Sequence, residues 1–198
     1  CDNQECVGSY AELAKKIPSR NRYFFVRHGE AALNIDHIVN ASVKNKEVSP
    51  LTSKGKEDAR KAAEQFAKEK IDGIYCSQLL RTRETAAIIA EKTGAHVTED
   101  ARLNGAFFGE ELEGKTTKEV SEMMGIDLPR RYLVNFPNGE TAKDIQKRML
   151  LFLLELERQH RGKTFVIVSH GDPLIIIRNF LAFGPKSEIE NIPKEQYP

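Results

Sequence analysis

At Tyr23–Glu30 the chain reads YFFVRHGE, in which four apolar residues stop abruptly at Arg27 and His28. An uninterrupted run of aromatic and branched residues is typical of a strand buried on both faces. An isolated Arg-His pair at a strand end is also common on ordinary protein surfaces. The stretch therefore predicts a strand that ends in Arg27 and His28, and a function for the pair depends on partners elsewhere in the chain.

Strand-like and helix-like segments alternate along the rest of the chain. Two further strands are predicted at 71–77 (IDGIYCS) and 163–169 (KTFVIVS), and the second is apolar enough to be a central strand. Helices are predicted from Thr52 or Ser53, over 80–94, around 117–124, over 141–160, and from Pro173 to a stop at Gly184 and Pro185. This alternation predicts an α/β fold with a largely parallel sheet.

Length and composition narrow the class of protein. With 198 residues the chain is long enough for one domain, and we divide it into an N-terminal appendage, 1–21, and a single domain, 22–198. The net charge of +1 gives no global reason to expect nucleic acid or an anionic membrane as a partner. No apolar run approaches the roughly 18 residues that a membrane span needs.

Cysteine usage bears on the compartment. Cys1, Cys6 and Cys76 suggest neither a disulfide framework nor a metal site, and Cys76 is expected to be a small core residue. A reduced, cytoplasmic setting is therefore the default. The chain begins with Cys1, so a lipid-anchored or secreted mature form remains an alternative.

Three predicted strand ends carry basic or imidazole side chains. Because parallel strands end at one edge of the sheet, Arg27, His28, Arg81 and His170 are expected to meet there. Guanidinium groups bind phosphate oxygens through two hydrogen bonds each, and an imidazole beside them stays neutral and nucleophilic near pH 7. The set suits phosphoryl transfer through a phosphohistidine, stabilised by the cations, with no metal or other cofactor.

The chain resembles the histidine phosphatase superfamily, the phosphoglycerate-mutase-like proteins. The segments RHGE, SPLTSKG, SQLLRTRETA, FPNGET and VSHGDPL occur in the order of that family, over about Arg22 to Phe183. The resemblance implies a three-layer αβα sandwich, in which one strand is commonly antiparallel. It also implies that His28 is phosphorylated, that Arg27, Arg81 and His170 complete a phosphate pocket, and that Asn34 contacts it.

One position departs from the family pattern. The resemblance implies a glutamate that protonates the leaving oxygen, but the chain reads RLNGAFFGEELEG and has Gly105 there. A positioned acid contributes about 10²–10⁴-fold in rate. The candidates to replace it are Glu110, Glu111, Glu113 and Asp172. For Asp172 the competing interpretation is an N-cap, with Pro173 as the first helical residue.

The predicted phosphate pocket, together with Gly105 at the position of the acid, is compatible with three functions. The span from Gly114 to Gly139 is shorter than the insertion of the family's mutases, and a short lid admits water, which favours a phosphomonoesterase acting on small phosphorylated metabolites. A phosphoglycerate mutase-type phosphotransferase is the alternative enzyme, and Gly105 raises a third function, a phosphate-binding pseudoenzyme.

The pair Arg130 and Arg131 has two interpretations. Both side chains are solvated, or they bind a substrate carboxylate or a second phosphate.

Overall fold

The computed structural model describes residues 20–126 and 134–183. Four strands lie within these residues: β1 Arg22–Arg27, β2 Gly73–Cys76, β3 Val97–Glu99 and β4 Thr164–Ser169. They form one sheet in the order β1-β4-β2-β3, and each of these pairings is parallel. The apolar strand β4 is interior, as predicted. The antiparallel strand that the resemblance implied is not among these residues.

Helices cover both faces of the sheet. The helices of the described residues are α1 Ala32–Ile35, α2 Ser53–Gln65, α3 Leu80–Thr93, α4 Thr117–Met124, α5 Ala142–Gln159 and α6 Gly171–Phe183, of which α2, α3, α5 and α6 pack on the sheet. Alternate residues of β4 point to opposite faces, because side chains alternate along a strand. Phe165 and Ile167 pack with α5 and α6, whereas Val166 and Val168 pack with α2 and α3. The fold is therefore the predicted three-layer αβα sandwich.

The helix predictions succeeded where apolar periodicity was clear. Thr52 caps α2 through its side chain, and Gly94 ends α3 in the left-handed conformation, with φ of 70°. The helix predicted over 141–160 forms as α5, and one apolar face of it is buried: Ile145, Met149, Phe152, Leu153 and Leu156. Cys76 is fully buried, as expected of a core residue.

Two predictions about elements were wrong. Strand β3 was not predicted, because Val97 is its sole apolar residue and β3 forms by pairing with the open side of β2. Helix α6 begins at Gly171 and not at Pro173, and Leu174 N–H donates to the carbonyl of His170 at 3.2 Å. The N-cap position therefore belongs to His170 and not to Asp172. Pro173 is tolerated in this first turn because backbone N–H groups there have no partner within the helix.

Some predictions fall outside the described residues: most of the appendage, Arg130, Arg131, and the stop at Gly184 and Pro185. Within the described part of the chain, no helix combines the length and apolarity that crossing a bilayer requires.

Candidate active site

The sheet register brings the predicted residues to one edge. Arg27 pairs with Ser169 in the β1–β4 register, and Cys76 pairs with Val168 in the β2–β4 register. His28, Ser77 and His170 each follow directly on one of these strand ends. Arg81 enters from the first turn of α3. The carboxyl edge of the sheet thus gathers side chains that lie more than 50 residues apart in sequence, such as His28 and Arg81.

His28 is buried, and its hydrogen bonds identify its tautomer. Nδ1 lies 2.7 Å from the carbonyl oxygen of Gly29, and the Nε of Arg81 donates to His28 Nε2 at 3.2 Å. A carbonyl can only accept and a guanidinium can only donate, so the ring proton is on Nδ1 and the lone pair is on Nε2. Burial, followed by the charge of Arg81, lowers the pKa of His28 to about 3. The imidazole is therefore neutral at pH 7, with its nucleophilic atom facing the guanidinium.

His170 has the opposite tautomer for the same reason. The Nη2 of Arg81 lies 3.2 Å from His170 Nδ1, while His170 Nε2 lies 2.7 Å from Ser77 Oγ. The Nε2 proton goes to Ser77, whose own hydroxyl then donates to Thr82 Oγ1 at 2.7 Å. Thr82 in turn donates to the carbonyl of Leu79 at 2.7 Å. Burial and the charge of Arg81 lower the pKa of His170 well below its ordinary value.

Arg81 is the centre of this cluster. Besides the two imidazoles, its Nη1 donates to Asn40 Oδ1 at 2.9 Å and its Nη2 to the Asn40 carbonyl at 2.7 Å. Burial lowers the pKa of Arg81 to about 10, so the guanidinium remains charged at neutral pH. Four of the five N–H groups of the guanidinium are thus directed to His28, His170 and Asn40.

Arg27 and Asn34 line a cavity of about 350 Å³ together with His28. The Asn34 side-chain oxygen accepts the backbone N–H of Ala31 at 3.1 Å, which leaves the amide N–H groups for a ligand. Within 20–126 and 134–183, the exposed Arg27 guanidinium has no hydrogen-bond or ion-pair partner. The five residues predicted for the site therefore converge at one edge, in two groups that share His28.

Two glycines of the motifs allow backbones to touch beneath this cavity. A Cβ on Gly29 would lie 2.3 Å from the carbonyl oxygen of Gly55, and a Cβ on Gly55 would lie 2.0 Å from the carbonyl oxygen of Glu30. Any side chain at either position would push the loop after β1 away from the start of α2. Gly29 of RHGE and Gly55 of SPLTSKG are therefore both needed for the same close contact between two backbone segments.

Several residues in contact with the cluster were missed by the sequence reasoning. Ser77 and Thr82 lie inside the segment SQLLRTRETA, where only Arg81 had been given a role. The available signal was a hydroxyl side chain at each position: Ser77 directly follows the end of β2, and Thr82 lies two residues after the start of α3. Asn40 lies in a stretch without periodicity or motif, and nothing in the sequence pointed to its contact with Arg81.

The position of the expected acid, Gly105, is buried beside the ring of His170. A Cβ on Gly105 would lie 3.5 Å from both His170 Cγ and Ala41 Cβ, an ordinary contact distance. The loop that carries Gly105 is held by Arg148, which donates to the Gly105 carbonyl at 3.1 Å and binds Glu140 through two hydrogen bonds.

The four candidate replacements lie in different surroundings. Glu110 pairs with Lys44 at 3.1 Å, and Glu111 is exposed in the 3₁₀ turn Glu110–Leu112. Both oxygens of Glu113 accept the N–H of Ala41, at 2.9 and 3.1 Å. Asp172 lies in the first turn of α6. The printed contacts of Glu110 and Glu113 thus lead to Ser42, Lys44 and Ala41, and not to His28, Arg81 or His170.

Known proteins resemble the chain in both sequence and structure. The family model for "Histidine phosphatase superfamily (branch 1)" matches residues 23–195. A "Probable phosphoglycerate mutase GpmB" of Citrobacter koseri is 33% identical over 156 residues, covering 75% of this chain and 68% of the relative.

Solved structures agree with that match. Bacillus stearothermophilus YhfR superposes with a TM-score of 0.77 at 28% identity, covering 87% of this chain and 85% of that one. The alpha-ribazole phosphatase from Shigella flexneri gives a TM-score of 0.65 at 27% identity, covering 80% and 79%. From its fold, its ordered motifs and these matches, the chain belongs to the histidine phosphatase superfamily, branch 1.

Proposed function

We propose that the protein is a metal-independent phosphomonoesterase that hydrolyses small phosphorylated metabolites through a phosphohistidine on His28. The observation that carries the proposal is the His28 tautomer. A neutral imidazole, with Nδ1 bound to the Gly29 carbonyl, presents the Nε2 lone pair beside a buried guanidinium. Such a nitrogen can attack phosphorus while the adjacent cation attracts the phosphoryl oxygens.

The other residues would act on the charge of the phosphoryl group. Arg27 is exposed to the cavity and offers its N–H groups to the non-bridging oxygens, as does the Asn34 amide. Arg81 holds both imidazoles and adds positive charge. The start of α6, directly after His170, contributes the positive end of a 13-residue helix.

Hydrolysis is favoured over transfer by the short segment between Gly114 and Gly139. A short lid covers a bound phosphohistidine less completely, so water reaches it before a second substrate hydroxyl does. The curated relatives named probable phosphoglycerate mutases favour the alternative, a phosphotransferase that returns the phosphoryl group to its substrate.

Phosphate release distinguishes these functions. The wild type, with a chelator present, should release phosphate from p-nitrophenyl phosphate and from members of a phosphorylated metabolite panel. His28→Ala should not, whereas His96→Ala, which removes an exposed histidine, should match the wild type. Interconversion of phosphoglycerates that depends on a bisphosphoglycerate primer would favour the mutase. Binding of phosphate without turnover at any pH would favour a pseudoenzyme.

A further inference from the structure

The ring protons of His28 and His170 are both donated to acceptors within the protein. The ring proton of His28 is on Nδ1 and is donated to the Gly29 carbonyl, while that of His170 is on Nε2 and is donated to Ser77. The nitrogens that face the shared guanidinium, His28 Nε2 and His170 Nδ1, both carry lone pairs. Neither neutral imidazole therefore presents a proton to an oxygen that leaves phosphorus between them.

The cations at the site are not proton sources either. A guanidinium donates hydrogen bonds but does not give up its proton at neutral pH. Arg81 and Arg27 can therefore stabilise negative charge on the phosphoryl oxygens. They do not supply the proton that would let an alkyl leaving group depart as an alcohol and not as an alkoxide.

Gly105, Glu110 and Glu113 do not place an acid against the imidazoles. The place beside the His170 ring is occupied by Gly105, which has no side chain. Burial raises the pKa of Glu113, as an acid would require, but both of its oxygens accept the Ala41 N–H. Glu110 faces Lys44 and the hydroxyl of Ser42. Neither Glu110 nor Glu113 is therefore held against an imidazole.

We infer that the site, given the phosphohistidine chemistry proposed above, is selective for aryl, enol and acyl phosphates, whose leaving oxygen departs as a stable anion. In the first step the N–P bond to His28 Nε2 forms as the P–O bond breaks, and the leaving oxygen keeps the electron pair. That anion is later protonated by solvent. In the second step water attacks phosphorus, the N–P bond breaks, its electron pair returns to Nε2, and the water proton goes to solvent.

Alkyl phosphates are the discriminating substrates, because an alkoxide departs slowly without a proton. For the wild type, kcat/KM for p-nitrophenyl phosphate and acetyl phosphate should exceed that for glycerol 3-phosphate by at least about 10²-fold, the lower range of what a positioned acid supplies. Across substituted phenyl phosphates, kcat/KM should fall steeply as the leaving phenol becomes a weaker acid.

Substitution at Gly105 tests whether the lack of a proton donor at this position causes the selectivity. A Cβ fits there without a clash, since it would lie 3.5 Å from its nearest neighbours. Gly105→Glu should raise glycerol 3-phosphate hydrolysis by about 10²-fold and flatten the phenyl series. Gly105→Gln, of the same size but without an ionisable proton, should do neither. Circular dichroism and a melting curve establish that each variant is folded.

Two outcomes would overturn the inference without touching the proposed function. One is His28-dependent wild-type hydrolysis of glycerol 3-phosphate at the rate of p-nitrophenyl phosphate. The other is alkyl phosphate activity that disappears in Glu113→Gln or Asp172→Asn, which would identify an acid already in place. If the wild type hydrolyses none of these substrates, the proposed function itself fails, and the inference fails with it.

Discussion

Two buried side chains with opposite charges mark the opposite edges of the sheet. At the carboxyl edge, Arg81 donates to two imidazoles and to Asn40. At the amino edge, the carboxylate of Glu157 accepts from the Tyr23 hydroxyl at 2.6 Å, from the Asn21 amide at 3.2 Å and from the Arg20 N–H at 2.8 Å. Glu157 and Arg81 are 5% and 7% exposed, so each depends on protein partners for its hydrogen bonds.

The partners of the two charges differ, and they distinguish a purely structural role for Glu157 from the role proposed for Arg81. Glu157 is bound by neutral donors, two of them on the segment that starts β1, and burial raises the pKa of Tyr23 so that its hydroxyl stays protonated. This carboxylate fastens the start of β1 and the two residues before it to the end of α5. The partners of Arg81 are neutral bases whose protonation would break the cluster, and they line the edge where phosphate is expected. Burial of a charge alone therefore does not mark a site, whereas the chemistry of its partners does.

The largest effect is expected from Arg81→Lys. An ammonium group cannot keep the fork of hydrogen bonds to His28, His170 and Asn40, so kcat/KM for p-nitrophenyl phosphate should fall by about 10²–10³-fold. The free energy of unfolding should change by only about 1 kcal/mol, because the positive charge remains. Steady-state kinetics and urea unfolding of the same preparation measure both quantities. A variant that keeps its activity would remove Arg81 from the functional side of the comparison.

Glu157→Ala should show the reverse pattern. The donors of Tyr23, Asn21 and Arg20 would lose their acceptor inside the protein, and the free energy of unfolding should drop by about 3 kcal/mol. Tyr23→Phe removes one donor from the same cluster and should cost about 1 kcal/mol. Activity per folded molecule should stay within about twofold in both, since the cluster lies at the far edge of the sheet. A loss of activity in folded protein would show that the two edges are coupled.

The smallest effect concerns pH. The pKa of His28 is about 3 in the folded protein and 6.5 in an unfolded chain, so below pH 6.5 the unfolded chain binds a proton that the folded site refuses. Stability is therefore complete above pH 6.5 and falls as the pH drops towards 3. Between pH 7 and pH 5 the wild type should lose about 2 kcal/mol more than His28→Gln. Tyr23→Phe should follow the wild type, and parallel curves for wild type and His28→Gln would contradict the burial argument.

The sequence predicted which side chains meet at the carboxyl edge of the sheet better than it predicted how they are arranged there. Arg27, His28, Arg81 and His170 follow strand ends or start helices, and the parallel topology alone brings such residues to one edge. The tautomers could not be predicted, because they depend on Ser77, Gly29 and the orientation of one guanidinium. Asn40 binds Arg81 through both its side-chain oxygen and its carbonyl, from a stretch that no pattern marks.

Other features were invisible for related reasons. From the sequence, Glu157 is expected on the polar face of α5. Its burial depends on contact with Arg20, Asn21 and Tyr23, which are far away in sequence. The three residues of β3 carry too little apolar character to be recognised without their partner strand. The start of α6 was misplaced by two residues, because proline is compatible with more than one position of a first helical turn. Local rules fail at these points, where contacts between distant segments determine the structure.

The central claim is that His28 Nε2 receives the phosphoryl group. It is tested most directly by mixing the protein with a ³²P-labelled aryl or acyl phosphate and quenching in alkaline denaturant, in which phosphohistidine survives. We predict one labelled peptide, the one that contains His28, with label absent from His28→Ala and unchanged in His96→Ala. Label on another residue, or label that persists in folded His28→Ala, would contradict the account.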